Sequence, residues 1–270
     1  MIKLNDKTIM FNHFNDGSCR VQIDIPDGDC SFSLKVTWLY ERDEEFLQLY
    51  YLVNHLRSHF FNNLSLVMPY CPNCRMDRVK SDSDVFTLKY FSKLINDMNF
   101  SSVEIYDPHS YVSPALLNNV IVRSPIQEIQ GLLDAYSWAL LFYPDEGSMK
   151  RLHSYFEVPY AFGVKERDWE TQKITSLQIA GSRHMIAGRD ILICDDILSR
   201  GSTIYAASKR LKELGAKNIY VYVSHCENTV LKPNLNGQSL LDIPDLITKV
   251  YTTNSIFTKN HPKVEIIKRF

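Results

Sequence analysis

Short apolar segments alternate with amphipathic segments along most of the chain. Five apolar segments that end in polar residues predict buried strands: 65–70 (SLVMPY), 102–107 (SVEIYD), 138–145 (WALLFYPD), 190–196 (DILICDD) and 218–225 (NIYVYVSH). Three further segments carry apolar residues at helical spacing and predict helices: 46–60, 86–98 and 203–215, the last closed by Gly215. Because strands and helices alternate, we expect an α/β fold with mainly parallel sheets.

The polar residues that follow these strands are candidates for a binding site. In parallel α/β sheets, ligands bind at the carboxyl ends of the strands. The side chains expected at that edge are those of Asp107, His109, Asp145, Asp195, Asp196 and His225. The series of strands and helices restarts near residues 124–131, which predicts two similar lobes, 1–125 and 126–270.

Composition and charge narrow the class of protein. The chain has 270 residues, of which 45% are hydrophobic, and this is enough for a substantial core. A formal net charge of -1 gives no overall field to attract nucleic acid. The N-terminal segment lacks the apolar region of a signal peptide, and no segment approaches the ~20 apolar residues of a membrane span. We expect a cytoplasmic protein that binds neither nucleic acid nor membrane.

The cysteines are scattered and predict reduced thiols. A chain of this size does not need disulfides for stability, and its six cysteines show no regular spacing. Only Cys71 and Cys74 form a CxxC motif, and neither a second CxxC nor a histidine pair follows at zinc-ligand spacing. We favour loop thiols over a metal or redox site.

The segment ILICDDILSRGST, residues 191–203, joins an apolar strand to two carboxylates and a loop of small residues before a helix. Backbone N–H groups and hydroxyls at a helix N-terminus bind anions such as phosphate. Asp195 and Asp196 can hold ribose hydroxyls or a Mg²⁺ ion. A sugar phosphate would satisfy both halves of the segment. The alternative is a helix capped by Ser202 or Thr203 beside solvated aspartates, and the segment alone leaves both open.

This segment resembles the phosphoribosyl-binding loop of the phosphoribosyltransferase fold, and the rest of the chain resembles one branch of that fold, the ribose-phosphate pyrophosphokinases. Seven further segments carry the resemblance, in order: FNDGS (14–18) to FxDGE, PYCPNCRMDR (69–78) to PYxxYARQDR, YDPHS (106–110) to MDLHS, FYPDEGSMKR (142–151) to VSPDxGGxKR, GVKERD (163–168) to xxKxR, SHC (224–226) to THG, and YTTNSI (251–256) to VTNTI. The resemblance implies two phosphoribosyltransferase-type lobes, each a mainly parallel sheet flanked by helices.

The resemblance also implies a role for each matching residue. Phe14, Asp16, Ser18, Arg75 and Met76 would bind ATP; His109 and Asp145 would hold Mg²⁺; Lys165 and Arg167 would be catalytic, on a mobile loop over residues 165–184; Asp195, Asp196, Ser199, Arg200, Gly201, Ser202 and Thr203 would bind the ribose and its phosphate. The first lobe would then carry the ATP side, and the second the ribose-phosphate loop and the lid.

The implied reaction is attack of the ribose 1-hydroxyl on the β-phosphorus of ATP, with release of AMP. Phosphoryl-type transfer spreads charge over non-bridging oxygens, so catalysis depends on positioning and positive charge. Lys165 and Arg167 supply that charge, although either alone would be taken for a solvated surface residue. The resemblance also implies a homo-oligomer, a dimer or larger, because the family's adenine site borrows residues from a neighbouring subunit.

The chain departs from the family pattern at three places. Ser18 stands where the family has Glu, Met76 stands where it has Gln, and residues 199–203 read SRGST instead of DTGGT. Arg200 would be crowded around a terminal phosphate, but it could bind the adjoining phosphate of a 5'-substituted ribose. We therefore favour ADP-ribose as acceptor over ribose 5-phosphate, as in phage-encoded relatives that rebuild NAD, which act in a host cytoplasm.

Two other classes of protein compete with this interpretation. A phosphoribosyltransferase shares the Asp195–Asp196 loop but lacks the ATP-side motifs FNDGS, RMDR and KERD. A non-catalytic regulatory subunit of a synthetase would have lost the lid or metal residues, whereas Lys165, Arg167, His109 and Asp145 are all present. We rank both below the pyrophosphokinase.

Overall fold

The computed structural model describes residues 1–24, 32–136, 140–167, 174–235 and 237–270, with only the backbone at 165–167 and 174–176. The chain forms two compact units. The first consists of Met1–Ser124 together with Phe270, and the second of Pro125–Arg269.

The first unit is built around one mixed sheet. Its strands are β1 (Ile2–Leu4), β2 (Lys7–Thr8), β3 (Phe11–His13), β4 (Cys19–Val21), β5 (Leu34–Trp38), β6 (Leu64–Val67), β7 (Ser102–Tyr106) and β8 (Val120–Arg123). The sheet has the order β2-β1-β5-β6-β7-β8, whereas β3 and β4 form a separate antiparallel hairpin. Strands β5 to β8 are parallel, and β1 is antiparallel to both of its neighbours. The carboxyl ends of β6 and β7 therefore lie at the same edge.

Helices cover the sheet of the first unit through their apolar faces. They are α1 (Glu44–Ser58), α2 (Thr87–Asp97) and α3 (Val112–Leu116). In α1, Leu49, Leu52, Val53 and Leu56 recur at helical spacing and are buried. They pack in one hydrophobic cluster with sheet residues such as Leu66. Burial of this apolar face is the main interaction that stabilises α1 in the folded protein.

The second unit contains a longer sheet. Its strands are β9 (Leu140–Tyr143), β10 (Tyr160–Arg167), β11 (Ile174–Gly181), β12 (Ile191–Leu198), β13 (Ile219–Cys226), β14 (Lys249–Thr253) and β15 (Val264–Lys268). They have the order β11-β10-β9-β12-β13-β14-β15. The pairings from β10 to β15 are parallel, and only β11 runs antiparallel to its neighbour in the described sheet. The expected mainly parallel α/β fold is confirmed.

Helices lie against both faces of this second sheet. They are α4 (Ile126–Ala135), α5 (Glu146–Leu152) and α6 (Ser202–Glu213). Ile204 and Leu211 of α6 pack into one hydrophobic cluster, and Ile129 of α4 and Leu152 of α5 pack into another. Strand β12 alternates between them, since Ile193 joins the first cluster and Cys194 joins the second. A strand buried on both faces is apolar throughout, which explains the segment ILIC.

The sequence predicts one loop over residues 165–184, but the described segments 165–167 and 174–181 within it are strands. They belong to β10 and β11, which pair as an antiparallel hairpin from Ala161↔Gly181 to Arg167↔Ile174. The segment ITSLQIAG mixes polar and apolar residues, as a strand at the edge of a sheet can. The charged residues that precede it favoured the prediction of a loop instead. The hairpin tip, 168–173, lies outside the described residues.

The thiol pair of the CxxC motif is buried. Cys71 and Cys74 are 2% and 3% exposed, and both are thiols rather than members of a disulfide. Burial raises the pKa of the Cys71 thiol. Because the thiolate is the form that binds metals and attacks disulfides, this environment agrees with a packing role.

No helix in the described part of the chain is long and apolar enough to cross a membrane.

Candidate functional site

The two aspartates lie at the carboxyl half of the central strand of the second sheet. Strand β12 pairs with β9 on one side and β13 on the other, and it continues past both aspartates to Leu198. Asp196 is buried, with 6% of its surface exposed, and Asp195 is half-buried. The aspartates are therefore not the solvated pair of the helix-cap alternative.

Helix α5 joins this acidic pair to Asp145. Asp145 caps α5, because its Oδ1 accepts a hydrogen bond from the Ser148 N–H at 3.1 Å. The Ser148 hydroxyl lies 3.1 Å from the same oxygen and 2.9 Å from Asp195 Oδ1. From the next turn of α5, the Arg151 guanidinium reaches Asp196 Oδ1 at 3.8 Å. Three carboxylates, one hydroxyl and one guanidinium therefore meet at this sheet edge.

The electrostatics of the acidic pair are unfavourable in the absence of a ligand. Burial raises the pKa of Asp195 well above its ordinary value, and the neighbouring Asp196 carboxylate raises it further. A hydrogen bond from Ser148 acts in the opposite direction. A buried like-charge pair of this kind gains stability when hydroxyl donors or a cation arrive, so the arrangement suits a polyhydroxylated or metal-bound ligand.

The N-terminus of α6 lies directly after the aspartates and has no side-chain cap of its own. Its N-cap residue is Gly201, whose φ is +87°. Glycine tolerates this left-handed conformation and has no side-chain oxygen to accept from the first N–H groups of the helix. The first turn of α6 also carries no acidic residue. These N–H groups therefore remain available to an anion.

This geometry contradicts the alternative in which Ser202 or Thr203 caps the helix. Both residues lie inside α6, one and two positions beyond the cap. The Ser202 hydroxyl instead accepts a hydrogen bond from Asn234 Nδ2 at 3.3 Å. The segment 199–203 is thus a loop and helix N-terminus in which the backbone, rather than a hydroxyl, occupies the cap position.

Residues that follow β13 in the chain contact the loop between β12 and α6. The Ser199 hydroxyl donates to Glu227 Oε2 at 2.6 Å, and the Thr229 hydroxyl donates to the same oxygen at 2.8 Å. Leu240 packs so closely that a Cβ added at Gly201 would lie 2.6 Å from Leu240 Cδ2. Arg200, by contrast, is exposed. The loop is held in one conformation by the following segment, and Arg200 projects from it.

His225, the last member of the predicted sheet edge in this unit, is a buried structural residue. It is 3% exposed, and its Nδ1 lies 2.8 Å from the Ser255 hydroxyl. Ser255 in turn accepts from Thr253 at 2.9 Å, so the ends of β13 and β14 are joined. The SHC and YTTNSI motifs meet here.

Asp107 and His109, the other two residues expected at this edge, lie in the first unit, so the six candidates belong to two sheets rather than one. Asp107 and His109 follow β7, and Arg75 and Met76 follow β6, at adjacent strand ends. A hydrogen bond from Arg78 lowers the pKa of Asp77, and Ser110 and the nearby His109 lower it further. His109, Arg75 and Met76 are exposed. The two motifs RMDR and YDPHS are therefore neighbours.

The FNDGS segment forms the turn of the β3–β4 hairpin. The Phe14 N–H donates to the carbonyl of Ser18, and Gly17 adopts a φ of +84°. Asp16 Oδ1 accepts from the Ser18 backbone at 2.9 Å and from the Ser18 hydroxyl at 2.6 Å, which lowers the pKa of Asp16. The Phe14 side chain is 54% exposed, with the Arg20 guanidinium 5.8 Å from the centre of its ring. The turn presents an aromatic face to solvent.

The structure describes the surroundings of the predicted catalytic and metal-binding residues only in part. Lys165 and Arg167 lie in β10, but their side chains lie outside the described residues. Within the described part of the chain, no group of three or more His, Cys, Asp or Glu side chains has the geometry of a metal site. The oxygen donors around Asp145 nevertheless suit Mg²⁺, which keeps several waters and needs one or two protein carboxylates.

Sequence reasoning missed four residues that touch the site. Ser148, Arg151, Glu227 and Thr229 contact either the aspartates or the loop that begins at Ser199. A signal was available for Ser148 and Arg151, which belong to the quoted FYPDEGSMKR motif. Glu227 and Thr229 fall in no motif, and only the pairing of β12 with β13 brings them to the loop.

Comparison with known proteins yields the same architecture. A model of the phosphoribosyl transferase domain matches residues 148–249. The ribose-phosphate pyrophosphokinase of Thermococcus kodakarensis is 28% identical over 221 residues, which cover 80% of this chain and 77% of the relative. That of Pyrococcus furiosus is 26% identical over 219 residues, which cover 78% and 75%.

A solved structure supports the fold over nearly the whole chain. The phosphoribosylpyrophosphate synthetase of Mycobacterium smegmatis superposes with a TM-score of 0.77 at 17% identity, covering 96% of this chain and 85% of that one. The superposition supports the predicted fold of two phosphoribosyltransferase-type units. The sequence comparisons thus show that this chain is similar to ribose-phosphate pyrophosphokinases over most of its length, and they support the predicted enzyme class, a diphosphokinase-type transferase.

Proposed function

We propose that this protein transfers the β,γ-diphosphate of ATP to the 1-hydroxyl of ribose 5-phosphate and releases AMP. The observation that carries the proposal is the junction of β12 and α6, where two aspartates precede a helix N-terminus capped by a glycine. At this junction, the aspartate carboxylates can accept hydrogen bonds from hydroxyls, and the N–H groups of the helix, a few residues further along, can donate to an anion. A sugar phosphate carries both hydroxyls and a phosphate, and so can use both parts of the junction.

The acceptor half of the site acts by positioning. Asp195 and Asp196 accept hydrogen bonds from the ribose hydroxyls, while the N–H groups of Gly201, Ser202 and Thr203 bind the 5-phosphate. Ser148 and Arg151 orient the two carboxylates from α5. Because the loop is already held by its neighbours, little ordering is needed on binding, and the 1-hydroxyl is presented in one orientation.

The donor half is proposed from residues of the first unit and the β10–β11 hairpin. Phe14 stacks on adenine, with Asp16 and Ser18 fixing the turn that presents it, and Arg75 and Met76 contact the nucleotide. His109 of the first unit and Asp145 of the second would each be a ligand of Mg²⁺, which when bound would neutralise phosphate charge during transfer. Lys165 and Arg167 place positive charge on the reacting diphosphate. ATP, ribose 5-phosphate and Mg²⁺ are thus the ligands, and a homo-oligomer completes the adenine site.

Ribose 5-phosphate replaces ADP-ribose as the favoured acceptor. The relatives that match most of the chain are named ribose-phosphate pyrophosphokinases, and this supports the simpler acceptor. One observation favours ADP-ribose as a second candidate. Arg200 is an exposed residue of the phosphate loop, residues 199–203, and its guanidinium could bind a second phosphate bidentately. It need not crowd a terminal phosphate, because its side chain projects outward.

The test is AMP release from ATP and Mg²⁺ with each acceptor in turn. We expect turnover with ribose 5-phosphate and loss of turnover in Lys165→Ala. Turnover with ADP-ribose alone would reverse the choice of acceptor, and Arg200→Ala should then raise the KM for ADP-ribose about tenfold. A mass measurement by light scattering tests the homo-oligomer.

Two outcomes would reject the reaction itself. No AMP with either acceptor would indicate a non-catalytic subunit, especially if Lys165→Ala changes nothing. Transfer of a base to or from phosphoribosyl diphosphate without ATP would indicate a phosphoribosyltransferase.

A further inference from the structure

The carboxylate of Glu227 is fixed against the first residue of the phosphate loop. Glu227 directly follows β13, and its backbone N–H donates to the carbonyl of Leu198 at 2.8 Å. Its Oε2 accepts from the Ser199 hydroxyl at 2.6 Å and from the Thr229 hydroxyl at 2.8 Å. Both the backbone and the side chain of Glu227 therefore bind the segment that connects β12 to α6.

This contact determines what Ser199 can do. A serine hydroxyl has one proton, and a proton donated to Glu227 is not available to a phosphate. At 2.6 Å the bond is as short as charge-assisted O–H···O⁻ bonds usually are, and such bonds are about twice as strong as neutral ones. Ser199 is therefore an anchor of the loop in this conformation, and the phosphate donors lie further along, at residues 200–203.

The contact also places a negative charge next to a position at which the family pattern has an acid and this chain has a serine. The phosphoribosyl loop that this chain resembles has an acid where Ser199 stands. Here a carboxylate oxygen lies within hydrogen-bonding distance of Ser199 but belongs to the neighbouring strand end. Because β12 and β13 are paired in register up to Leu198↔Cys226, the position of Glu227 is set by the sheet itself.

We propose that Glu227 is a positioning residue for the acceptor, which supplies from the end of β13 the acidic group expected at residue 199. It holds the loop so that the N–H groups of α6 face the 5-phosphate. This inference rests on the proposed function. It predicts that Glu227 affects the acceptor and leaves the ATP side of the reaction unchanged.

The first test is Glu227→Gln, which removes the charge and keeps the size of the side chain. We expect the KM for ribose 5-phosphate to rise about tenfold, while the KM for ATP stays the same and the Tm falls by at most a few degrees. Titration calorimetry with ribose 5-phosphate should show the same loss in affinity without any turnover. Glu213→Gln, an exposed pair partner of Arg210 at the far end of α6, is the matched control and should change neither value. If Glu227→Gln lowers the Tm but leaves both KM values unchanged, Glu227 contributes to stability alone, and the proposal is overturned.

The second test moves the carboxylate from position 227 to position 199. Ser199→Asp alone places two carboxylates in contact, so we expect acceptor affinity to fall by more than tenfold. Ser199→Asp combined with Glu227→Gln restores a single carboxylate with an amide donor beside it, and should recover affinity to within about threefold of the wild type. If Glu227→Gln alone fails to fold, the double variant still decides. Absence of recovery in a folded double variant would overturn the proposal.

Binding to the wild type separates this proposal from the reaction on which it rests. If the wild type binds neither ribose 5-phosphate nor inorganic phosphate, the proposed function fails and the role of Glu227 fails with it. If the wild type binds and both single variants bind equally well, only the role of Glu227 fails.

Discussion

The two loops proposed to bind the substrates are built in different ways. The phosphate loop, residues 199–203, leaves the central strand of a sheet that is buried on both faces, and residues far along the chain hold it. The adenine turn, residues 14–18, closes a two-stranded hairpin through bonds within the turn itself. The first loop is positioned by tertiary structure and the second by local chemistry. Substitutions should therefore alter stability and binding together in the phosphate loop, but alter binding alone in the adenine turn.

The largest expected effect is that of Asp195→Asn. Loss of a charged acceptor for the ribose hydroxyls should lower kcat/KM by about 100-fold or more. Since burial and Asp196 raise the pKa of Asp195, the folded state binds this proton more tightly than the unfolded state does. The carboxyl therefore favours folding at low pH, and that contribution is lost as pH rises through the raised pKa. The Asp195→Asn variant should gain ~1 kcal/mol of unfolding free energy at pH 8 and almost none at pH 3, below the ordinary pKa of the carboxyl.

Urea unfolding at the two pH values, in metal-free buffer, measures this gain. Asp190→Asn, at the opposite end of β12 and bonded to Asn218, serves as control and should keep activity. A loss of stability in Asp195→Asn at pH 8 would contradict the buried-charge argument.

Gly201→Ala should produce the next largest effect. The added Cβ would lie 2.6 Å from Leu240 Cδ2, at a φ of +87° that disfavours alanine. We expect a loss of about 2 kcal/mol in unfolding free energy and an increase of about tenfold in the KM for ribose 5-phosphate. Gly188→Ala is a useful control, because Gly188 also has a positive φ but no atom near its added Cβ. Equal effects on binding in the two variants would show that strain alone, rather than loop position, is measured.

Phe14→Ala tests the adenine turn. Removal of an exposed aromatic ring from the hairpin should raise the KM for ATP about tenfold, since stacking of a base on an aromatic side chain contributes about 1–3 kcal/mol. The Tm should not change, because the ring is 54% exposed. Phe32→Ala, which removes another exposed ring of the first unit, should leave the KM for ATP unchanged. A lower Tm in Phe14→Ala would break the contrast between the two loops.

The smallest effect belongs to Ser18→Ala. Two hydrogen bonds from Ser18 hold the pKa of Asp16 below its usual value, and this variant removes the stronger one. NMR titration should show the pKa of Asp16 rising toward 3.8, with a change of at most about threefold in the KM for ATP. An unchanged pKa would mean that the backbone N–H alone sets it.

The sequence by itself determined the α/β class, the parallel pairing and the junction of β12 with α6. These depend on apolar periodicity and on glycine, which act over a few residues. The β10–β11 hairpin was taken for a loop, because charged residues concealed a strand at the sheet edge. Periodicity is a weak signal where one face of a strand is exposed.

Only the tertiary structure decided what surrounds the phosphate loop. Glu227 lies 28 residues from Ser199 in sequence, in a segment with no recognisable motif. Its carboxylate reaches the loop because β12 and β13 pair in register, and that register follows from the packing of the whole sheet. Local pattern can place an aspartate at the end of a strand, but a contact between strand ends depends on which strands become neighbours.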